Sequence, residues 1–98
     1  MIRVVVTAEA EADIAEIVEY LREAAGPRVA GEYEERFESA LKRLAAFPNS
    51  GSPRDDVDLG IRMVVVYPYL IFHEVAADAS IVTVLRVLHG RVELEDKF

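Results

Sequence analysis

The chain has 98 residues, of which 52% are hydrophobic and 30% charged, with a formal net charge of −7 and no cysteine. One domain spanning residues 1–98 is expected, long enough to bury roughly 65% of its unfolded surface without metal or disulfide support. The missing thiols exclude a disulfide scaffold, a cysteine nucleophile and a cysteine-ligated metal, and the acidic balance disfavours general nucleic-acid binding, because phosphate backbones repel a surface of their own sign.

The acidity is uneven. Residues 1–60 carry 13 acidic and 7 basic side chains, a net of −6, whereas residues 61–98 carry 5 and 4, a net of −1, so an anion site is expected only in the second half. No window has the apolar length of a signal peptide or a membrane span, and a cytoplasmic location is expected.

Ile2 to Val6 is a β-branched run that predicts a strand. Thr7 is placed to cap a helix, with Glu9 and Glu11 near its positive end. Ala10, Ile14, Ile17, Val18 and Leu21 recur at three- and four-residue steps, which predicts a helix over 8–24 with Glu9, Asp13, Glu16, Glu19 and Glu23 largely on the water side. Gly26-Pro27 then punctuates the chain: glycine suits a left-handed cap and proline the first turn of a new helix. The second helix is predicted over 28–46, with Val29, Tyr33, Phe37, Ala40, Leu41 and Leu44 as its apolar stripe, Glu32 to Arg36 and Glu38 to Lys42 as supporting pairs, and Pro48 closing it. The tight turn makes the two helices antiparallel.

Pro48 to Gly60 has the composition of an exposed loop. Three strands are predicted after it, Ile61–Tyr67, Tyr69–Ala76 and Ser80–Leu88, with turns near Pro68 and at Ala77-Asp78-Ala79. The order β-αα-βββ describes an α+β two-layer domain with an αα-hairpin on one face of a mainly antiparallel sheet. The run from Ile81 to Arg91 reads as its buried central strand, and Arg86 is the anomaly within it: a guanidinium cannot lose its charge, so it needs an anionic partner, the sheet rim or a ligand.

On this frame the chain resembles the ParE/RelE superfamily of toxins from bacterial type II toxin–antitoxin modules, often labelled plasmid stabilisation proteins. The resemblance rests on Thr7, Ala10, Asp13, Ile14, Ile17, Tyr20 and Leu21, on Leu44, Pro48 and Gly51, on Gly60 and Arg62, and on Tyr69-Leu70-Ile71-Phe72 and Arg86-Val87-Leu88-His89-Gly90-Arg91. It implies a small toxin neutralised by a cognate protein antitoxin. Two activities divide that superfamily: RelE-like members cleave messenger RNA in the ribosome, and ParE-like members inhibit DNA gyrase without being known as hydrolases. The ending resembles the ParE style, His-Gly-Arg-Arg-Asp, with Arg91-Val92-Glu93 in its place, and His73 stands where a tyrosine is common. A degenerate relative without toxicity is a third possibility.

A ribonuclease would need a base, an acid and cations converging on a phosphate. Arg62, Arg86, His89 and Arg91 are the candidates, with His89 as proton carrier, yet Lys42 and Lys97 are the only lysines to hold an RNA strand. For catalysis the structural alternative takes precedence: Arg62 and Arg86 pair with carboxylates across the sheet, and His89 caps a strand end. The same four residues are then a target-binding rim rather than a catalytic centre. No metal site is expected, since His73 and His89 are the only histidines and lack carboxylates at ligand spacing, and no glycine-rich phosphate loop implies a cofactor. Tyr20, Tyr33, Phe37, Tyr67 and Tyr69 are read as core or antitoxin-contact residues before a base-stacking platform. The antitoxin is expected to bring an amphipathic helix with an adjoining extended stretch onto apolar surface of this domain.

Overall fold

The computed structural model describes residues 2–94 and 97–98. The elements are β1 (Arg3–Val6), α1 (Ala8–Ala25), α2 (Pro27–Ala46), β2 (Ser52–Pro53), β3 (Arg62–Val66), β4 (Tyr69–Val75) and β5 (Ile81–His89). Thr7 starts α1 as expected: its backbone is extended and its hydroxyl accepts from the Ala10 amide, satisfying one of the helix's orphan donors. Gly26, at φ 94°, separates the helices and Pro27 occupies the first turn of α2.

One five-stranded sheet has the order β1-β5-β4-β3-β2. β1 runs parallel to β5, pairing Arg3–Val6 with Ile81–Val84, and the remaining pairs are antiparallel. β5 is therefore interior only over its first half. β2 was not legible in the loop composition; it is a two-residue strand paired with Arg62 and Met63.

Both helices pack on one face. Ala10 of α1 and Phe37 and Leu44 of α2 close over Tyr69, Ile71, Val82, Val84 and Val87. Phe37, Leu44 and Ile71 are at most 2% exposed, so each contributes roughly 1.5–3 kcal/mol of burial. Ala30, outside the expected stripe, is fully buried too. The opposite face holds a smaller cluster, Ile61, Phe72 and Leu88, covered by Val57 from the loop and by Val92 and Leu94. Arg54 completes that cover, its guanidinium 5.6 Å above the Phe72 ring and doubly bonded to Asp56 at 2.9 Å. The Asp56 bond raises the Arg54 pKa further above its ordinary value.

Gly51 is where the loop meets the sheet. Its φ is +85°, and a Cβ there would collide with the Met63 carbonyl and lie 2.7 Å from Val64 Cγ1. Gly51→Ala combines left-handed backbone with overpacking against main chain and is expected to cost roughly 2 kcal/mol or more, read as a lowered urea midpoint.

Candidate functional site

After Val84 the outer edge of β5 has no strand partner, because β1 ends at Val6, while β4 goes on pairing with its other edge. A β-bulge occurs at this level: Phe72 pairs with Arg86 and His73 with Val84, leaving Leu85 as the extra residue. The bulge changes which side chains face the helices, from Val82 and Val84 before it to Val87 and His89 after it. The end of β1 leaves the outer polar groups of β5 without a neighbouring strand.

The start of the helical layer satisfies them. The Thr7 amide donates to the Val84 carbonyl at 3.1 Å and the Thr7 hydroxyl to the Leu85 carbonyl at 3.0 Å. One turn further on, Asp13 Oδ2 accepts from the Val87 amide at 2.9 Å. The same carboxylate takes a two-pronged bond from Arg86, Nε to Oδ2 and Nη2 to Oδ1, both at 2.8 Å. Arg86 Nη1 donates to the Lys97 carbonyl at 3.0 Å. The side chains of Arg86 and Asp13 are only 21% and 10% exposed. The Asp13 bond raises the Arg86 pKa above its ordinary value, against the opposing effect of burial.

Asp13 was thus expected on the water side and is instead buried. The signal was present: Asp13 lies three residues after Ala10 and four before Ile17, on the apolar stripe itself, and Arg86 was a charge in search of a partner. The carboxylate comes from the helical layer rather than from across the sheet.

His89 pairs with Tyr69 at the end of β5, and their rings meet edge to face at 5.6 Å. Tyr69 in turn meets Tyr33 at 5.7 Å, and Arg36 lies 4.7 Å over the Tyr33 ring. His89 Nδ1 accepts from the Arg91 amide at 3.0 Å, closing the turn after the strand. A cleft of about 600 Å³ runs beside this edge, lined by Asp13, Glu16, Tyr20, Pro68, Arg86 and His89 among others. Tyr20 is 64% and Tyr67 78% exposed, so neither is a core residue, whereas Tyr69 and Phe37 are.

Arg62 does not join this group. It pairs with His73, four residues along β4 from Tyr69, about 13 Å away at the usual strand rise. Its guanidinium holds the loop instead, Nη2 donating to the carbonyls of Asn49 at 2.6 Å and Gly51 at 2.9 Å, and Nε to that of Ser50 at 3.5 Å. The expected carboxylate partner is replaced by main-chain carbonyls, because the loop folds back over the start of β3. Of the four expected rim residues, Arg86 and His89 share the cleft, Arg91 stands exposed on the turn beyond it, and Arg62 lies at the other end of the sheet.

His73 is fully buried, and neither ring nitrogen has a hydrogen-bond partner among the described residues. Burial pushes its pKa below the ordinary histidine value and the nearby Arg62 charge adds to that, opposed by backbone groups of Ile71 and Pro48.

A solved structure of the chromosomal ParDE toxin–antitoxin system from P. aeruginosa matches with a TM-score of 0.76 at 22% identity, over 91% of this chain and 96% of that one. The toxin–antitoxin complex RelBE2 from Mycobacterium tuberculosis matches with a TM-score of 0.64 at 21% identity, over 90% of each chain. The chain therefore has the α+β fold found in toxin–antitoxin proteins of the ParE and RelE type. Sequence narrows the class: the model of the family described as ParE toxin of type II toxin-antitoxin system, parDE, matches residues 4–94. Toxin ParE3 of Caulobacter vibrioides is 33% identical over 92 residues, 94% of this chain and 90% of that protein. The chain belongs to the ParE toxin family of type II toxin–antitoxin systems.

Two predictions follow from the buried charges. Asp13→Ala strands the Arg86 guanidinium and the Val87 amide, and chemical unfolding should register a loss of roughly 3–5 kcal/mol, whereas Asp13→Leu combined with Arg86→Met, which removes both charges, should lose less. Burial lowers the His73 pKa in the folded chain, so as pH falls below about 6.5 the unfolded chain takes up the proton first. Its contribution is present in full above that value and is lost as pH falls, by at most about 1.4 kcal/mol at pH 5.5. Melting temperature should fall from pH 7.5 to 5.5 in the parent chain, and His73→Leu, close in volume, should flatten that slope.

Proposed function

We propose that this toxin acts as a ParE-like inhibitor of DNA gyrase, working by protein contact rather than by cutting RNA, and that a cognate protein antitoxin holds it silent. The observation that carries the contact reading is the commitment of the two arginines. A phosphoryl-transfer site needs cations free to meet developing charge. Arg86 is locked by Asp13 and the Lys97 carbonyl, and Arg62 by three loop carbonyls. His89 Nδ1 already accepts from the Arg91 amide, and the Arg86 guanidinium beside it in the cleft is taken by Asp13.

The remaining exposed groups at this end suit protein recognition. Tyr20 on α1 and Tyr67 on the turn between β3 and β4 are large and exposed, and Arg91 adds a cation on the turn after β5, which are residue types that anchor protein interfaces. The target-contact rim is accordingly His89 and Arg91 with Tyr20 and Tyr67; Arg86 supports it from within the cleft, and Arg62, at the other end of the sheet, takes no part. The antitoxin follows from membership of a toxin–antitoxin family and from the similar folds in two toxin–antitoxin assemblies.

Purified toxin added to gyrase should block supercoiling of relaxed plasmid, and induced cells should filament with a DNA damage response. Cut ribosomal messages with untouched gyrase would replace this mechanism by the RelE-like one. His89→Gln separates the two chemically: it keeps size and hydrogen bonding but removes the proton carrier, so a ribonuclease would lose roughly 100-fold or more in rate. A contact inhibitor keeps most of its growth arrest with His89→Gln, because glutamine preserves size and hydrogen bonding, and the change is expected to stay far below roughly 100-fold. Loss of arrest with antitoxin affinity intact would sink the contact mechanism.

A further inference from the structure

Tyr67 and Pro68 form the turn between β3 and β4, and the carbonyl of each accepts from a group outside that hairpin. The Tyr67 carbonyl accepts from the Tyr33 hydroxyl of α2 at 3.2 Å, and the Pro68 carbonyl from the Gly90 amide after β5 at 2.9 Å. Gly90 stands between His89 and Arg91, which are joined in turn by the Arg91 amide donating to His89 Nδ1 at 3.0 Å. Three rim residues, Tyr67, His89 and Arg91, therefore belong to one hydrogen-bonded unit. Among the described residues, the Tyr33 hydroxyl is the group of α2 that bonds to that unit.

Tyr33 is itself held firmly. Its ring meets Tyr69 edge to face at 5.7 Å and Phe37 at 6.3 Å, and the Arg36 guanidinium lies 4.7 Å over it. A side chain already packed in this way gives up little further rotamer freedom in reaching the turn. Tyr67 is the opposite case: it is 78% exposed, so its direction is set through its main chain rather than by packing of its ring. Water could satisfy the exposed Tyr67 carbonyl as well as a hydroxyl does, which makes the bond a small contributor to fold stability. What water does not supply is a fixed point on α2.

We propose that Tyr33 is a positioning residue of the target-contact rim: its hydroxyl anchors the Tyr67 carbonyl to α2 and thereby presents the Tyr67 side chain to the target in one orientation. The role rests on the contact mechanism above and adds to it a residue that acts through another. Ordering a contact residue in advance raises affinity because the binding step no longer has to order it. Without the anchor that ordering falls on binding, and the loss is bounded by the net worth of one hydrogen bond, which converts to roughly 2- to 10-fold in affinity.

Tyr33→Phe tests the role, since it keeps the ring with its neighbours and removes only the hydroxyl. With no target present, the order parameter of the Tyr67 amide from nitrogen relaxation should fall from about 0.85 toward about 0.6, while that of Val64 within β3 and the urea midpoint stay close to the parent's. In the supercoiling assay, half-inhibition of gyrase should need roughly 2- to 10-fold more of this variant than of the parent chain. Tyr67→Ala should lose at least as much, and the double variant no more than Tyr67→Ala alone, because the anchor then has no side chain to present. An unchanged Tyr67 order parameter, inhibition by Tyr33→Phe or Tyr67→Ala equal to the parent's, a loss that persists in the Tyr67→Ala background, or one that merely tracks a lowered urea midpoint overturns the positioning role and leaves the contact mechanism standing. A parent chain that leaves gyrase untouched overturns the contact mechanism itself, and the positioning role with it.

Discussion

A single carboxylate, that of Asp13, ties the two layers of this toxin together. It accepts a main-chain amide from β5 and both prongs of Arg86, at the level where β1 no longer covers the sheet edge. A mostly buried ion pair is poor evidence of net stability, because desolvation offsets its attraction. Its value here is registry. Only one rotation of α1 brings Asp13 to Val87, and that rotation also sets Ala10 and Ile17 toward the sheet. The helical hairpin is thereby oriented by a polar bond and held by apolar ones.

The same bond restricts the chemistry open to the toxin. Arg86 opens the Arg86–Arg91 block that helps to carry the superfamily resemblance, yet its donors point at Asp13 and the Lys97 carbonyl rather than at solvent. Arg62 is equally occupied, with a loop. Charged residues that look catalytic in a one-dimensional sequence are here the ties between an irregular segment and a regular one. Open to solvent instead are the aromatics Tyr20 and Tyr67 and the acidic hairpin, where the molecule's charge is concentrated.

Much of the architecture was legible because local signals agreed with one another. Thr7, Gly26-Pro27 and the apolar stripes placed both helices to within a residue or two at each end. The later strands were readable from β-branched runs separated by turns. Two things were hidden. An unbroken apolar run carries no mark of a change in side-chain period, so the bulge at Leu85 left no trace, and with it the turning of Val87 and His89 toward the helices. Partnerships between charges distant in sequence were equally invisible: Asp13 and Arg86 are 73 residues apart. The candidate rim was half recovered for that reason, since spacing along the chain could not tell that Arg62 and His89 stand at opposite ends of the sheet.

The two faces of the sheet are also protected unequally. One lies under two helices of 18 and 20 residues, and the other under the Arg54–Gly60 loop and the segment following β5. Local opening draws first on elements with few internal hydrogen bonds and little buried area. The molecule therefore has a firm side and a soft side, and the strands between them experience two different solvents over time. The side chains of Met63 and Phe72 gain contact with water by lifting the loop and tail alone, whereas those of Val82 and Val84 must wait for the whole helical layer to part from the sheet.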